Sequence, residues 1–354
     1  MDAKQVREAL QKGKAQRLKE KLDYIRYRES FGGVERGTVI VKKRIIWGYP
    51  QIKRVFTLEN GLERNMPPCV VYAEEKIDGF NARVALVQGQ LYGFSRGGFL
   101  DSFVTEKARG LGLEKFFKEY PDYVLCGEMI GNTPYTEPVK DFDVKLFVFD
   151  IERGDGTYLP CDEKYKLLKE YGIEHPPVLG KFNSNDYEKL NKLILSLNKG
   201  HREGMVLKSL DRKNIVKYVT PNSDIEDISQ VSGQFFDMPI GFFYQRVLRS
   251  AFFIDDFSLD SDKYSLKLGK AFYTALRKSI RKARKGEEIG EEFEILIKDK
   301  AIWEDIRKHM SKEVKLEELW RHEEGGRTRI RFQKIYRRTS RKLIGYAAGK
   351  GLAD

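Results

Sequence analysis

Residues 80–87 and 91–95, two runs rich in β-branched and aromatic side chains, are separated only by Gln88-Gly89-Gln90, and this pair constrains the chain more than any other feature. A connection that short joins strands only as an antiparallel hairpin, since a parallel pair needs a crossover of a dozen residues or more. Residues 123–126, 145–151, 205–208 and 214–219 read as further short strands. Two helices interrupt them. Asp162 is placed to cap one that ends at Gly172, and Ser184 to cap another whose Tyr187, Leu190, Ile194 and Leu197 share a face before Gly200. The pattern between Pro68 and Val219 is that of an antiparallel α+β body.

Outside that body the period changes. Val6, Leu10, Leu18, Leu22 and Ile25 recur at roughly helical spacing among many charges, which predicts exposed helix interrupted near Gly13. Over 39–58, Ile45, Ile46, Trp47 and Phe56 surround the turn Gly48-Tyr49-Pro50 and predict a small sheet, with Lys42, Lys43, Arg44, Lys53 and Arg54 interleaved. Beyond about Gln234 the chain reads as helical. Ser261 opens a long helix with Tyr264, Leu268, Ala271, Phe272, Ala275 and Leu276 on one stripe and a basic end at 277–285, and helical register resumes over 293–310. Residues 327–342 hold eight Lys or Arg among sixteen and no acid. There Arg327, Arg329, Arg331, Lys334, Arg337 and Arg338 alternate with apolar and aromatic residues, the strongest candidate nucleic-acid surface in the chain. The resulting plan is an N-terminal β-containing module over 1–62, the α+β body over 63–234, a helical domain over 235–312 and a basic C-terminal module over 313–354.

Composition adds bounds. With 354 residues, 41% of them apolar, the chain can fill two or three cores. Lys and Arg number 65 against 53 Asp and Glu, a net +12 that favours a polyanionic partner. Cys69, Cys126 and Cys161 lack the spacing of a disulfide framework or a zinc ribbon and read as buried thiols. No stretch approaches a membrane span and the charged N-terminus is unlike a signal peptide, so the expected place is the cytoplasm.

The chemistry centres on Lys76-Ile77-Asp78-Gly79, where a lysine leaves an apolar run beside an acid and a glycine. A free lysine is neutral in only about one molecule in 2,500 at pH 7, a deficit of about 4.6 kcal/mol, so an attacking lysine needs help. Cations nearby supply it, and Lys208, Lys217 and a bound metal ion would each disfavour a proton on Lys76. The tetrapeptide alone is weak, arising by chance in roughly one chain in ten of this length. Its context strengthens it. Ser95-Arg96-Gly97-Gly98 offers a permanent cation and free backbone amides for phosphate. Cys126-Gly127-Glu128 puts a carboxylate at a strand end, suited to ribose or magnesium. Alternation predicts that Phe147, Phe149 and Ile151 share one face, from which an aromatic ring can stack on a purine. Glu203 precedes a strand ending in Lys208, and Lys217 lies on the next, so a short hairpin would bring both ammonium groups to one pocket.

In order, Lys76-x-Asp78-Gly79, Ser95-Arg96-Gly97, Gly127-Glu128, Phe147-Val148-Phe149-Asp150, Glu203-Gly204-Met205-Val206-Leu207-Lys208 and Val216-Lys217-Tyr218 resemble the motif set of the covalent nucleotidyltransferases, the DNA ligases, RNA ligases and capping enzymes. Asn81 stands five residues after Lys76, where DNA ligases and capping enzymes usually carry arginine, and the arginine is Arg83 instead, which is similar to many RNA ligases. Gly48-Tyr49-Pro50-Gln51-Ile52-Lys53-Arg54 and the stretch from Arg329 to Arg338 further resemble archaeal-type homodimeric ATP-dependent RNA ligases.

The resemblance implies an antiparallel-sheet, ATP-grasp-like nucleotidyltransferase core followed by a helical dimerisation region, which the stripe from Tyr264 to Ile280 would suit. It also implies that Lys76 takes AMP from ATP, that Arg96, Glu75, Asp78 and Asn81 lie at the nucleotide, that Glu128 holds the ribose and Phe149 the base, with Phe147 its alternative. Glu203 and Glu128 would bind Mg²⁺ or Mn²⁺, and Lys208 and Lys217 the α-phosphate. The implied partners are RNA with 5′-phosphate and 3′-hydroxyl ends, single-stranded DNA as a further strand, and a second copy of the chain. A DNA ligase, a GTP-dependent capping-type enzyme and a non-catalytic basic nucleic-acid-binding protein are the competing readings.

Overall fold

A computed structural model of the chain describes residues 2–311 and 314–351, so the expected boundary at 312 and 313 lies outside the described residues. Two five-stranded sheets form the body. The first has the order Val144–Glu152, Val124–Gly131, Phe80–Val87, Gln90–Ser95, Leu100–Asp101, and every neighbouring pair is antiparallel. Gln88 and Gly89 turn its central hairpin with φ of 53° and 78°, the left-handed pair that matches strand twist. The second sheet runs Val178–Asn183, Val70–Glu75, Gly204–Ser209, Ile215–Val219, Lys53–Arg54, antiparallel except for the last pair.

Alternation along Phe80–Val87 feeds two cores. Ala82 and Val84 face Phe103, Phe116 and Phe117 of the helices beneath, while Ala85 and Val87 face Tyr24, Val39 and Ile46 of a small N-terminal sheet. The second sheet packs instead on Leu58 and Leu62 of one helix and on Leu190 and Ile194 of Tyr187–Lys199. A groove lies between the two sheets, lined by residues of strands from both.

The ends of the chain differ from the sequence expectation. Helix Ala3–Gln11 stops at Gly13, whose φ of 66° no β-carbon favours, and the chain then forms strands Ala15–Lys19 and Asp23–Tyr27 instead of resuming a helix. The two helix caps also move: Pro160 precedes Cys161–Glu170, leaving Asp162 in its first turn, and Asp186 in place of Ser184 caps Tyr187–Lys199. Residues 290–297, expected in part to be helical, form a strand, because Phe293, Ile295 and Ile297 are buried at period two while Glu292 and Glu294 face outward. With Lys315–Glu324 and Arg327–Ile335 this strand makes a three-stranded antiparallel sheet. Its Phe293, Ile295, Ile330 and Phe332 join Trp303 and Phe103 in the core under the first sheet, so the C-terminal region shares a core with the body. The helices Pro221–Val231, Ile240–Asp256 and Ser261–Arg284 supply the helical region. Among the described residues no helix is long and apolar enough to cross a membrane.

Candidate active site

Lys76 directly follows the second strand of the second sheet. Its backbone N–H donates to the Gly204 carbonyl at 2.9 Å, and its ammonium is paired with the Glu203 carboxylate. Gly79 is needed here, since a β-carbon would lie 2.5 Å from the Met129 carbonyl oxygen and 2.6 Å from Ile130 Cγ2, so only glycine lets the lysine loop pass this close to the first sheet. Lys76 enters a cleft of about 510 Å³ between the two sheets. Glu75, Asn81, Arg96, Glu128, Phe149, Lys208 and Lys217 line the same cleft. Glu203 reaches it through Lys76, and Asp78 is exposed outside its lining.

Glu128 lies opposite Asn81 in the antiparallel register, so the two project together from neighbouring strands. Burial pushes the Glu128 carboxyl up to about 7, against the pull of Lys76, and does the same for Glu203. Glu203 Oε2 and Asn81 Oδ1 are buried without a hydrogen-bond partner among the described residues. Two buried acids, one of them paired with Lys76, and an unpartnered amide oxygen therefore gather at the cleft.

Phe149 sits where the register slips. Cys126 pairs with Asp150 but Gly127 with Val148, which leaves Phe149 as an extra residue in its strand. The predicted shared face breaks at this bulge: Ile151 goes with Leu146 and Val148 into the core, while Phe149 meets Tyr49 edge-on at 5.1 Å and borders the cleft. Phe147 is not among the residues lining it.

The two later lysines occupy unlike environments. Burial, then the cations Arg54, Lys76 and Arg96, push Lys217 down to about 8, the like-charge effect expected around a nucleotide phosphate. Lys208 is not the free ammonium that its spacing predicts. It is fully buried, bonded to Glu74 at 2.9 Å, Asp150 at 3.1 Å and the Phe149 carbonyl at 2.7 Å. Lys164 donates to Glu74 at 2.6 Å and to the same carbonyl at 2.9 Å. Both amines thus clamp the bulge that carries Phe149, a positioning role the spacing of Lys208 concealed. Lys164 carried no sequence signal for the site, and Arg83 was marked only by its displaced position in the motif. Arg83, fully buried, donates to the carbonyls of Trp47, Gly37 and Ser95 at 2.6, 2.7 and 3.0 Å and so ties the N-terminal module to the turn bearing Arg96.

The basic C-terminal stretch is only partly available. Arg329 is paired with Glu324 and Glu294, each at 2.7 Å, and Arg331 with Glu292 at 2.8 Å. Lys334 is 8% exposed, with its ammonium 3.9 Å from the Phe293 ring centre. Arg327, Arg337 and Arg338 are exposed. The central strand puts Arg331 opposite Glu294 and Lys334 opposite Glu291, and Arg329 reaches Glu294 and Glu324 of its two neighbours diagonally. Burial pushes the Lys334 amine down to about 8 despite Glu291 nearby, so the folded state loses its proton before the unfolded one, near 10.4. Folding therefore carries a penalty below pH 8 that lifts as pH rises toward 10.4. Lys334→Met is expected to raise the melting temperature at pH 7 by an amount reflecting up to about 3 kcal/mol, with the gain vanishing above pH 10. An unchanged melting curve across that range would contradict it.

Comparison with known proteins places this geometry. A family model described as RNA ligase matches residues 70–219, and one described as the ligase Pab1020 C-terminal region matches 231–350. An uncharacterised protein of Methanocaldococcus jannaschii is 31% identical over 344 residues, covering 91% of this chain and 87% of that one. Among solved structures, a protein of Aquifex aeolicus provisionally named an ATP-dependent DNA ligase superposes with a TM-score of 0.93 at 29% identity, over 99% of this chain and 100% of its own. An archaeal ATP-dependent RNA ligase superposes with a TM-score of 0.89 at 27% identity, over 100% and 97% of the two chains.

Proposed function

This chain belongs to the archaeal-type ATP-dependent RNA ligase family of the covalent nucleotidyltransferases, and we propose that Lys76 is the residue through which it passes AMP to RNA. The observation that carries this is the Lys76 amine held inside the cleft against Glu203, with Glu128, Phe149 and Lys217 on the surrounding walls.

The first step forms a bond between Lys76 Nζ and the α-phosphorus of ATP and breaks the bond to pyrophosphate. Glu203 is the contacting base for the proton Lys76 must lose. Its buried position lets it take a proton near neutrality. The lysyl-bound AMP then passes to an RNA 5′-phosphate, and a 3′-hydroxyl attacks that activated end and expels AMP. Each centre is polyanionic, so charge supplied by Lys217 and Arg96 favours every step. Phe149 offers a ring face for the adenine, and Asn81 with Glu128 acceptors for the ribose.

A divalent cation, Mg²⁺ or Mn²⁺, fits Glu128 and Glu203: both are oxygen donors, burial makes the charge of both costly so that a cation is favoured there, and Glu203 Oε2 has no hydrogen-bond partner among the described residues. When bound it neutralises phosphate charge. The three cysteines form no disulfide, which suits work in a reducing cytoplasm.

The test is incubation with α-labelled ATP or GTP, then with 5′-phosphorylated RNA or DNA strands. Label from ATP alone, with RNA joined faster than DNA, is expected. Preference for DNA ends would favour the name given to the Aquifex relative, and label from GTP a capping-type enzyme.

Assembly as a homodimer is part of the proposal, through a different face from the one the sequence suggested. The stripe Leu268, Ala271, Phe272 and Leu276 is partly covered within the chain, whereas Ile240, Tyr244, Val247, Leu266 and Tyr273 are exposed, Ile240 at 94%. Sedimentation should give twice the chain mass for the native protein and the single mass for Tyr244→Glu combined with Val247→Glu. A native monomer would end this part.

A further inference from the structure

Helix Ser261–Arg284 ends in a run, 277–285, with six Lys or Arg and no acid, to which the sequence attaches no role. Helix Arg337–Ala347 is also free of acids. The fold lays the two together: Ile280 and Ala283 of the first pack with Leu343 and Ile344 of the second. Arg277, Arg281 and Arg284 recur at the four- and three-residue steps that share a helix face and span about 10 Å. All three are exposed, as are Arg337, Arg338 and Arg341, and none of the six guanidinium groups is paired with a carboxylate among the described residues, although the Arg338 backbone N–H donates to Asp237 at 3.3 Å. By contrast Arg329 and Arg331 of the adjoining strand are paired with glutamates.

We infer that this helix pair is the surface that grips the RNA strand, through its phosphates, while the end to be joined sits in the cleft. The inference rests on the RNA-ligase reading and says where the strand lies. Guanidinium groups suit phosphate because they present paired donors and hold their hydration weakly. The absence of any interspersed acid matters as much, since the mixed-sign surfaces elsewhere on the chain attract a polyanion less. The pair is also fixed relative to the chemistry. Helix Pro221–Val231 begins four residues after Lys217, and Ser261–Arg284 packs along it.

The experiment compares the native full-length protein with two triple variants, Arg277→Gln, Arg281→Gln, Arg284→Gln and Arg337→Gln, Arg338→Gln, Arg341→Gln, and with the same triples changed to lysine. Binding of a 5′-phosphorylated single-stranded RNA is followed by anisotropy between 50 and 300 mM KCl, beside labelling of Lys76 by α-labelled ATP. Each glutamine triple should weaken RNA binding at least tenfold and flatten the slope of log affinity against log salt by about 2. The lysine triples should stay within about threefold of native, as expected for contacts made chiefly through charge. Labelling of Lys76 and the melting temperature should match the native protein throughout. RNA affinity and salt slope unchanged in both glutamine triples would overturn the inference while leaving the ligase reading intact. A native protein that neither labels nor joins RNA would instead overturn the ligase reading itself.

Discussion

Lys76→Ala protein is expected to take up no label from α-labelled ATP, and its joining of RNA with a plain 5′-phosphate should fall by on the order of 10⁵-fold or more, as for other enzymes deprived of their nucleophile. Neither neighbouring amine can take its place. Lys208 is bonded to two carboxylates and a carbonyl inside the protein, and Lys217 leaves a different strand of the sheet. The same variant should still join an RNA whose 5′ end already carries AMP, because the last step forms a bond between two strands and never passes through Lys76. That contrast separates a lost nucleophile from a damaged fold. Loss of both activities with an unchanged melting temperature would mean that Lys76 has a wider part than nucleophile, and retained labelling would remove it from the mechanism.

The motif order was legible because each motif sits on a strand or beside its end, and the hairpin signal at Gln88-Gly89 fixed one pair of neighbouring strands. Lys76 follows a strand end as expected, whereas Glu128 lies inside Val124–Gly131, not at the strand end its spacing suggested, and Lys217 lies inside Ile215–Val219, so these two reach the cleft from the faces of their strands. What the sequence hid were effects of register and pairing. Regular alternation cannot foresee the extra residue at Phe149, and without it Phe149 and Ile151 would share a face. A cation in a strand looks the same whether it meets solvent, as Arg327 does, or a glutamate on the next strand, as Arg331 does. For Lys208 the partners Glu74 and Asp150 are distant in sequence, and neither belongs to a pattern that points to it. The exposed strand Lys315–Glu324 has no buried residue to mark it, so its place was set by pairing alone.

Replacing Asp150 by alanine should be the most destabilising single change near the cleft. The carboxylate is 1% exposed and accepts from Lys208 at 3.1 Å, from Arg212 at 2.8 and 3.2 Å, and from the Tyr49 hydroxyl at 2.5 Å. Burial alone would raise its pKa, but Lys208, Arg212 and Lys164 more than offset this and hold it well below the usual carboxylate range. A depressed acid contributes stability that is present above the unfolded value near 3.9 and is lost as pH falls through and below it. Asp150→Ala leaves Lys208 with Glu74 and strands Arg212, whose guanidinium is left over the rings of Tyr158 at 3.6 Å and Tyr49 at 5.4 Å. Breaking a buried pair in this way costs about 3–5 kcal/mol, which in a chain of this size lowers the melting temperature by about 5 °C at pH 7. Lys208 also grips the Phe149 carbonyl, so the loss should spread to the base-stacking ring and raise the ATP concentration needed for half-maximal labelling of Lys76 by about tenfold. Because the acid is gone, the gap in stability between variant and native protein should narrow as pH is lowered below 4. A melting temperature at pH 7 within 1 °C of native, or a gap that does not narrow in acid, would show that Asp150 holds neither the lysine nor the ring.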